Sequence, residues 1–177
     1  HKDRFQRLGE LSNLDKAIQY ESRAVNLTPD GHPDLSGMLS NLGISHGYRF
    51  HRMGDLSDLD KAIQYHSRAL NLTPHGHPDM PSRLANLGTS HTYRFQRLGG
   101  LSDLENAIQN KSQAVALTPN GHPHLPGMLA NVGTSHGYRF HRMGDLADLD
   151  KAIQYYSRAV DLTPDGHPDM PSRLADL

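Results

Sequence analysis

The chain has 177 residues, a formal net charge of −1 and no cysteine. Near-neutral charge gives no electrostatic footing for nucleic acid or an anionic membrane surface, and the lack of thiols excludes disulfides and thiolate metal sites. No apolar run reaches the roughly 18 residues that mark a membrane span, so neither a nucleic-acid nor a membrane partner is expected, and the absence of cysteine and of a signal peptide favours the cytoplasm.

One unit is written about four times. Phe5, Phe50, Phe95 and Phe140 each sit in an Arg-Phe-(Gln/His)-Arg-(Leu/Met)-Gly run, 45 residues apart. Leu-Thr-Pro-x-Gly-His-Pro recurs with the same period at Thr28, Thr73, Thr118 and Thr163. A fixed period of roughly 20–50 residues signals a helical or strand-based array in which each repeat touches its neighbours. A second period of 90 residues lies over the first: the units from His46 and His136 share Arg-Phe-His-Arg-Met-Gly, those from His1 and His91 Arg-Phe-Gln-Arg-Leu-Gly.

In chain order, residues 1–34 read as the end of one helix, stopped at Gly9, followed by a second helix capped by Ser12. Residues 35–79, 80–124 and 125–169 are three full repeats, and 170–177 starts another. The third shows the pattern best. Asp79 can cap a first helix, A, with Pro81 tolerated in its first turn. Leu84, Leu87, His91, Phe95 and Leu98 then follow at spacings of 3, 4, 4 and 3, one face of a helix of about 18 residues. Gly88 on this helix is expected to permit close helix packing, and Gly99 stops it. Ser102, with Glu105 after it, reads as a capping box opening helix B, whose apolar face is Leu104, Ala107, Ile108, Ala114 and Val115. Ser57 repeats the cap; Ala147 lacks the hydroxyl, so that helix start is expected to fray. Thr118 ends helix B, because a residue before proline is pushed out of the α region. Gly31, Gly76, Gly121 and Gly166 supply the positive φ of a tight turn in each link. The fold class is all-α, about three quarters helical, with no strands.

Asn86-Leu87-Gly88, then Gly99, Ala107, Ala114 and Pro119, resembles the tetratricopeptide repeat, whose helix–turn–helix unit has about 34 residues. The present unit is 11 residues longer than that. The Leu-Thr-Pro-Asp-Gly-His-Pro text is similar to the long repeats of large fungal multidomain proteins. The resemblance implies a right-handed solenoid with helix A on the concave face and helix B outside. The concave stripe would then be Asn41, Ile44, Tyr48 and His51; Asn86, Thr89, Tyr93 and Gln96; and Asn131, Thr134, Tyr138 and His141. In peptide-binding members an Asn at the place of Asn86 holds ligand backbone and a basic residue seven positions on holds a carboxylate. Here that later position is Tyr48, Tyr93 or Tyr138, so the charged clamp is absent.

This stripe is the expected contact surface for a protein or peptide partner, since tyrosine is enriched at interfaces. The array would be a non-catalytic scaffold. No nucleophile–base pair, phosphate loop or HExxH motif supports an enzyme, and no cofactor is implied. Of the 13 histidines, His32, His77, His122 and His167 recur in the links about one repeat apart, roughly 10 Å, too far to share an ion. His46, His91 and His136 lie on the apolar stripe of helix A and should hydrogen-bond to a neighbouring repeat; metal or pH sensing through histidine is the remaining alternative. Arg49, Arg52, Arg94, Arg97, Arg139 and Arg142 end helix A across the turn from Asp58, Asp60, Asp103, Asp148 and Asp150; pairing within the repeat is expected, with recognition of an acidic partner as the alternative. Finally, His1–Leu8 and Met170–Leu177 match complementary halves of one helix, which suggests a segment of a longer array or head-to-tail self-association into a filament.

Overall fold

A computed structural model describes residues 2–175, with side chains from Ser12 onward. Eight helices and no strand occur among the described residues: α1 (Lys2–Leu27), α2 (Leu35–Met53), α3 (Leu56–Asn71), α4 (Met80–Leu98), α5 (Leu101–Leu117), α6 (Leu125–Met143), α7 (Leu146–Asp161) and α8 (Met170–Ala175). The even-numbered helices are of the A type and α3, α5 and α7 of the B type. No described helix is long and apolar enough to cross a membrane.

The turn from A to B is only two residues long. Gly54 and Gly144 end α2 and α6 in the left-handed region, with φ of 73° each, and their N–H groups donate to the carbonyls of Phe50 and Phe140. Gly99 does the same after α4. One residue then remains before the chain is helical again. The cap therefore falls two residues earlier than Ser57 and Ser102, which lie inside their helices. Asp55 Oδ1 accepts from the Ser57 N–H and Asp145 Oδ1 from the Ala147 N–H, each at 2.9 Å. The start of α7, expected to fray, is thus side-chain capped, and among the helices α3, α5 and α7 it is α5, preceded by Gly100, that lacks such a bond.

The expected break after Gly9 does not form; α1 is a single helix of 26 residues. Glu10 stands where Asp55 and Asp145 cap the later B helices. Glutamate is a good helix former, whereas aspartate is a favoured cap. Phe5 and Leu8 lie outside the described side chains.

Each link is held by the same three bonds. The threonine before proline donates its hydroxyl to a carbonyl four residues back, as Thr73 does to Ala69 at 2.6 Å. His77 N–H donates to the Pro74 carbonyl across the turn at Gly76, whose φ is 79°. His77 Nδ1 then accepts from the Asp79 N–H at 3.1 Å. His32, His122 and His167 repeat this contact. The link histidines therefore serve the backbone at the start of the next A helix.

The chain divides into two compact units, residues 1–90 and 91–177. Each has its own apolar cluster, as an array of nearest-neighbour contacts allows. In the first unit Leu35, Leu39 and Leu42 of α2 pack with Ile18 and Val25 of α1 and Ala69 of α3. In the second unit Leu125, Leu129 and Val132 of α6 pack with Val115 of α5 and Ala159 of α7. Apart from Ile18, these positions are 90 residues apart, so the longer period of the sequence is also that of the cores. Leu98, assigned to the apolar face, is 59% exposed at the end of α4. Leu174 of α8 is likewise exposed, whereas its counterpart Leu84 is buried.

Helices A and B approach through glycine. A Cβ on Gly43 would meet the His66 ring at 2.7 Å, and one on Gly133 would meet the Tyr156 ring at 3.0 Å and the Ala152 carbonyl at 3.2 Å. Gly137, one turn on, has open space beside it. Gly133→Ala is expected to lower unfolding free energy by about 1–3 kcal/mol through overpacking. Gly137→Ala should raise it by about 0.5–1 kcal/mol, because glycine is a poor helix residue. Denaturant midpoints of the two variants check the helix pairing; equal shifts would contradict it.

Candidate functional site

The polar groups that face inward come first, because they determine which side chains remain for a ligand. Across each A–B turn a buried aspartate is clamped by two residues of helix A. His46 Nδ1 lies 2.8 Å from Asp58 Oδ1, and Arg49 donates to both carboxylate oxygens at 2.8 and 2.6 Å. His136 and Arg139 hold Asp148 with the same geometry, and His91 and Arg94 hold Asp103. The spacing explains this: His and Arg three residues apart lie on one helix face, and the aspartate is in the first turn of the next helix. The partner of each histidine is thus in its own repeat, where a neighbouring one had been expected. Burial alone would raise the Asp58 carboxyl, but the Arg49 and His46 hydrogen bonds outweigh it and hold it below the usual carboxylate range. Burial likewise pushes His46 and His136 below the ordinary imidazole value, against the pull of their aspartates. Their rings stack on Tyr65 and Tyr155.

A second inward set was not recognised in the sequence. The residue facing the helix A glycine is His66 opposite Gly43 and Tyr156 opposite Gly133, and Glu21 and Lys111 hold the same place in their repeats. His66 is 3% exposed, its Nδ1 has no hydrogen-bond partner, and burial lowers its pKa to about 4. Tyr156 donates to Thr134 Oγ1 at 3.1 Å. Lys111 is 7% exposed and its Nζ donates to Thr92 Oγ1 at 2.8 Å and Ser135 Oγ at 3.0 Å. No carboxylate faces it among the described bonds, and burial lowers its pKa to about 8. The signal was available: Lys111 lies four residues after Ala107 and three before Ala114, on the assigned apolar face.

A third set explains the alternation of repeats. Met38 and Met128 place sulfur 3.6 Å from the hydroxyls of Thr28 and Thr118. Arg83 and Arg173 occupy the same place in the other repeats and donate to Thr73 and Thr163 and to Asp79 and Asp169. Arg83 is 5% exposed.

The outward stripe is what these sets leave. In the first unit Asn41, Tyr48 and His51 of α2 are exposed, Tyr48 to 62%, and Asn86 and Thr89 of α4 are half-buried. In the second unit Gln96, Asn131 and His141 are exposed, and Tyr93, Thr134 and Tyr138 half-buried. The structure brings three residues of this set close together there. Gln96 Nε2 donates to Tyr138 Oη at 2.6 Å, the Phe95 and Tyr138 rings lie 6.0 Å apart, and burial followed by the nearby Tyr138 raises the Tyr93 phenol. Thr134 is turned to internal use by its bonds to Ala130 and Tyr156. His51 and His141 lie against Phe50 and Phe140. His122 and His124 approach to 5.5 Å between ring centres, and no group of three or more metal-ligating side chains occurs among the described residues.

Residues 144–165 match the tetratricopeptide repeat family. Among solved structures, the nearly identical TPR-like repeats of a kinesin light chain-like protein of Podosopora anserina superpose with a TM-score of 0.70 at 12% identity, covering 97% of this chain and 79% of that one. BtubC (BKLC) of P. vanneervenii gives a TM-score of 0.70 at 18% identity, covering 96% of this chain and 65% of the other. At such identities the likeness is one of fold. No curated protein matches the chain in sequence.

The lysine generates a test of these internal sets. The Lys111 ammonium titrates near 10.5 when unfolded and near 8 when folded. Between those values the unfolded chain holds more protons, so stability rises with pH. Lys111→Met should stabilise the protein by about 1–3 kcal/mol at neutral pH, because the charge need no longer be buried. The advantage should shrink as pH is raised toward 10. Urea titrations of both proteins at the two pH values measure it.

Proposed function

We propose that this chain, a tetratricopeptide-like repeat protein, serves as a non-catalytic scaffold that binds a protein or peptide through the A helices of its two units. TPR-like repeats generally mediate protein–protein interaction. The observation that carries the reading is the Gln96–Tyr138 bond with Phe95 alongside, which fixes a half-buried aromatic pair beside an exposed amide on α4 and α6. Rigid aromatic side chains lose little entropy on binding and are frequent anchors of interfaces. In the first unit Asn41, Tyr48 and His51 of α2, with Asn86 and Thr89, offer similar chemistry. In the second unit Asn131 and His141 flank Tyr93, Gln96 and Tyr138.

The partner so bound is recognised without a charge clamp. Three arginines of the A helices, Arg49, Arg94 and Arg139, are engaged by internal aspartates. The stripe itself holds amides, hydroxyls, tyrosines and two histidines. Such a surface suits backbone amides and apolar side chains of a peptide better than an acidic terminus.

The test is the triple change Tyr48→Ala, Tyr93→Ala, Tyr138→Ala. It should reduce capture of a binding partner at least about ten-fold, equivalent to about 1.4 kcal/mol, while the far-ultraviolet circular dichroism remains helical. Gln109→Ala, at an exposed site on α5, should leave capture unchanged. Undiminished capture by the triple variant would place the contact elsewhere.

A further inference from the structure

A cavity of about 560 Å³ opens on the other side of the second unit, lined by residues of α5, α6 and α7. Its lining includes three cations, Arg139, Lys151 and Arg158, together with Ser112, Gln154 and Tyr155, and no carboxylate. Lys151, Gln154, Tyr155 and Arg158 fall at i, i+3, i+4 and i+7, a single face of α7. None of them belongs to the helix A stripe.

The first unit has the same lining residues at positions 90 lower, which makes it an internal control. There the two arginines are satisfied from within the chain, while Lys61, like Lys151, has no ion pair among the described residues. Arg68 Nη2 donates to Asp30 at 3.1 Å, and Arg49 Nη1 donates to Asp15 at 2.9 Å. In the second unit Asn120 replaces Asp30 and Glu105 replaces Asp15. Arg158 and Lys151 have no ion pair among the described residues. Arg139 spends Nε and Nη2 on the buried Asp148, and the Nη1 atom that Arg49 gives to Asp15 has no acceptor there. Glu105 and Asp145 lie near enough to Arg139 to interact through space, so the uncompensated charge is concentrated at Lys151 and Arg158.

We propose that this cavity is a binding site for an acidic peptide segment that supplies the carboxylates missing from the second unit. The dimensions favour a chain over an ion. A cavity of about 560 Å³ far exceeds the ~30 Å³ that one water occupies. Lys151 and Arg158 are seven residues apart, about 10 Å along the helix, which one carboxylate cannot bridge. Two acidic residues three positions apart on a polyproline II segment, with three residues per turn, lie on one face about 9 Å apart. Arg158 can take one carboxylate in a bidentate fork and Lys151 the other as a point charge. Ser112 and Gln154 offer hydrogen bonds to the backbone between them, and Tyr155 an apolar wall.

The experiment is fluorescence anisotropy with a labelled peptide containing Glu-Ser-Ser-Glu, alongside two controls, Gln-Ser-Ser-Gln and a peptide with the two glutamates adjacent. The spaced glutamate peptide should bind most tightly, and more weakly as salt is raised. Lys151→Glu with Arg158→Glu should weaken it at least about ten-fold; both side chains are exposed, so folding is not at stake, and circular dichroism verifies this. Asn120→Asp, which restores the first unit's internal acceptor, should weaken binding several-fold by competing for Arg158. The triple tyrosine change should leave the affinity unaltered, which separates this site from the helix A stripe. Equal binding of the glutamine peptide, indifference to the charge reversal, or full displacement of the peptide by millimolar inorganic phosphate would overturn the proposal.

Discussion

The buried aspartate near the start of each B helix is the constraint on which the geometry of the repeat rests. It is placed by a two-residue turn, and the turn is possible because glycine takes the left-handed conformation after helix A. Once there, Asp58, Asp103 or Asp148 must be neutralised, since an isolated buried carboxylate is expensive. A histidine and an arginine of helix A, three residues apart, do this together. Such clusters add little net stability over an apolar contact. Their effect is geometric: the directed bonds set where helix B lies along helix A, and the glycine one turn away sets how close it lies.

Function follows from what the clamp uses and what it leaves. The clamp consumes Arg49, Arg94 and Arg139 of helix A, and the outward stripe of α4 and α6 is made of tyrosine, amide and hydroxyl groups. On helix B of the second unit, Lys151 and Arg158 have no ion pair among the described residues. The two faces of the second unit therefore differ in chemistry although they are built from one repeat. Two substitutions relative to the first unit, Asn120 for Asp30 and Glu105 for Asp15, account for the difference in charge pairing.

Much of the fold was legible because it depends on periods. The spacing of Leu84, Leu87 and His91 gave the face of helix A, the glycines gave its end, and Thr118 before proline gave the end of helix B. Caps were misplaced by two residues because serine and aspartate both cap helices and stand two apart; only the tightness of the turn decides between them. The break after Gly9 failed to form because one residue, Glu10, changed a cap into a helix former. The helix A stripe was visible as a pattern, yet its exposure, and the joining of Gln96 to Tyr138, depend on how two helices pack. Lys111 was missed because an ammonium on an apolar face is read as solvated, and the hydroxyls that satisfy it come from two other helices.

That lysine bears on a difficulty particular to chains that copy themselves. Four nearly equal B helices could each dock on an A helix that is not their own, and apolar contacts alone would barely distinguish the outcomes. Lys111 requires the hydroxyl of Thr92, and the residues in Thr92's place on α2 and α6 are Gly47 and Gly137. Docked on either of those helices, the ammonium would be buried without that acceptor. Tyr156 similarly uses the hydroxyl of Thr134, where α2 has Ile44. The slot opposite the glycine thus acts as an address label, written in a different functional group on each copy, and it keeps a repetitive chain in register while it folds.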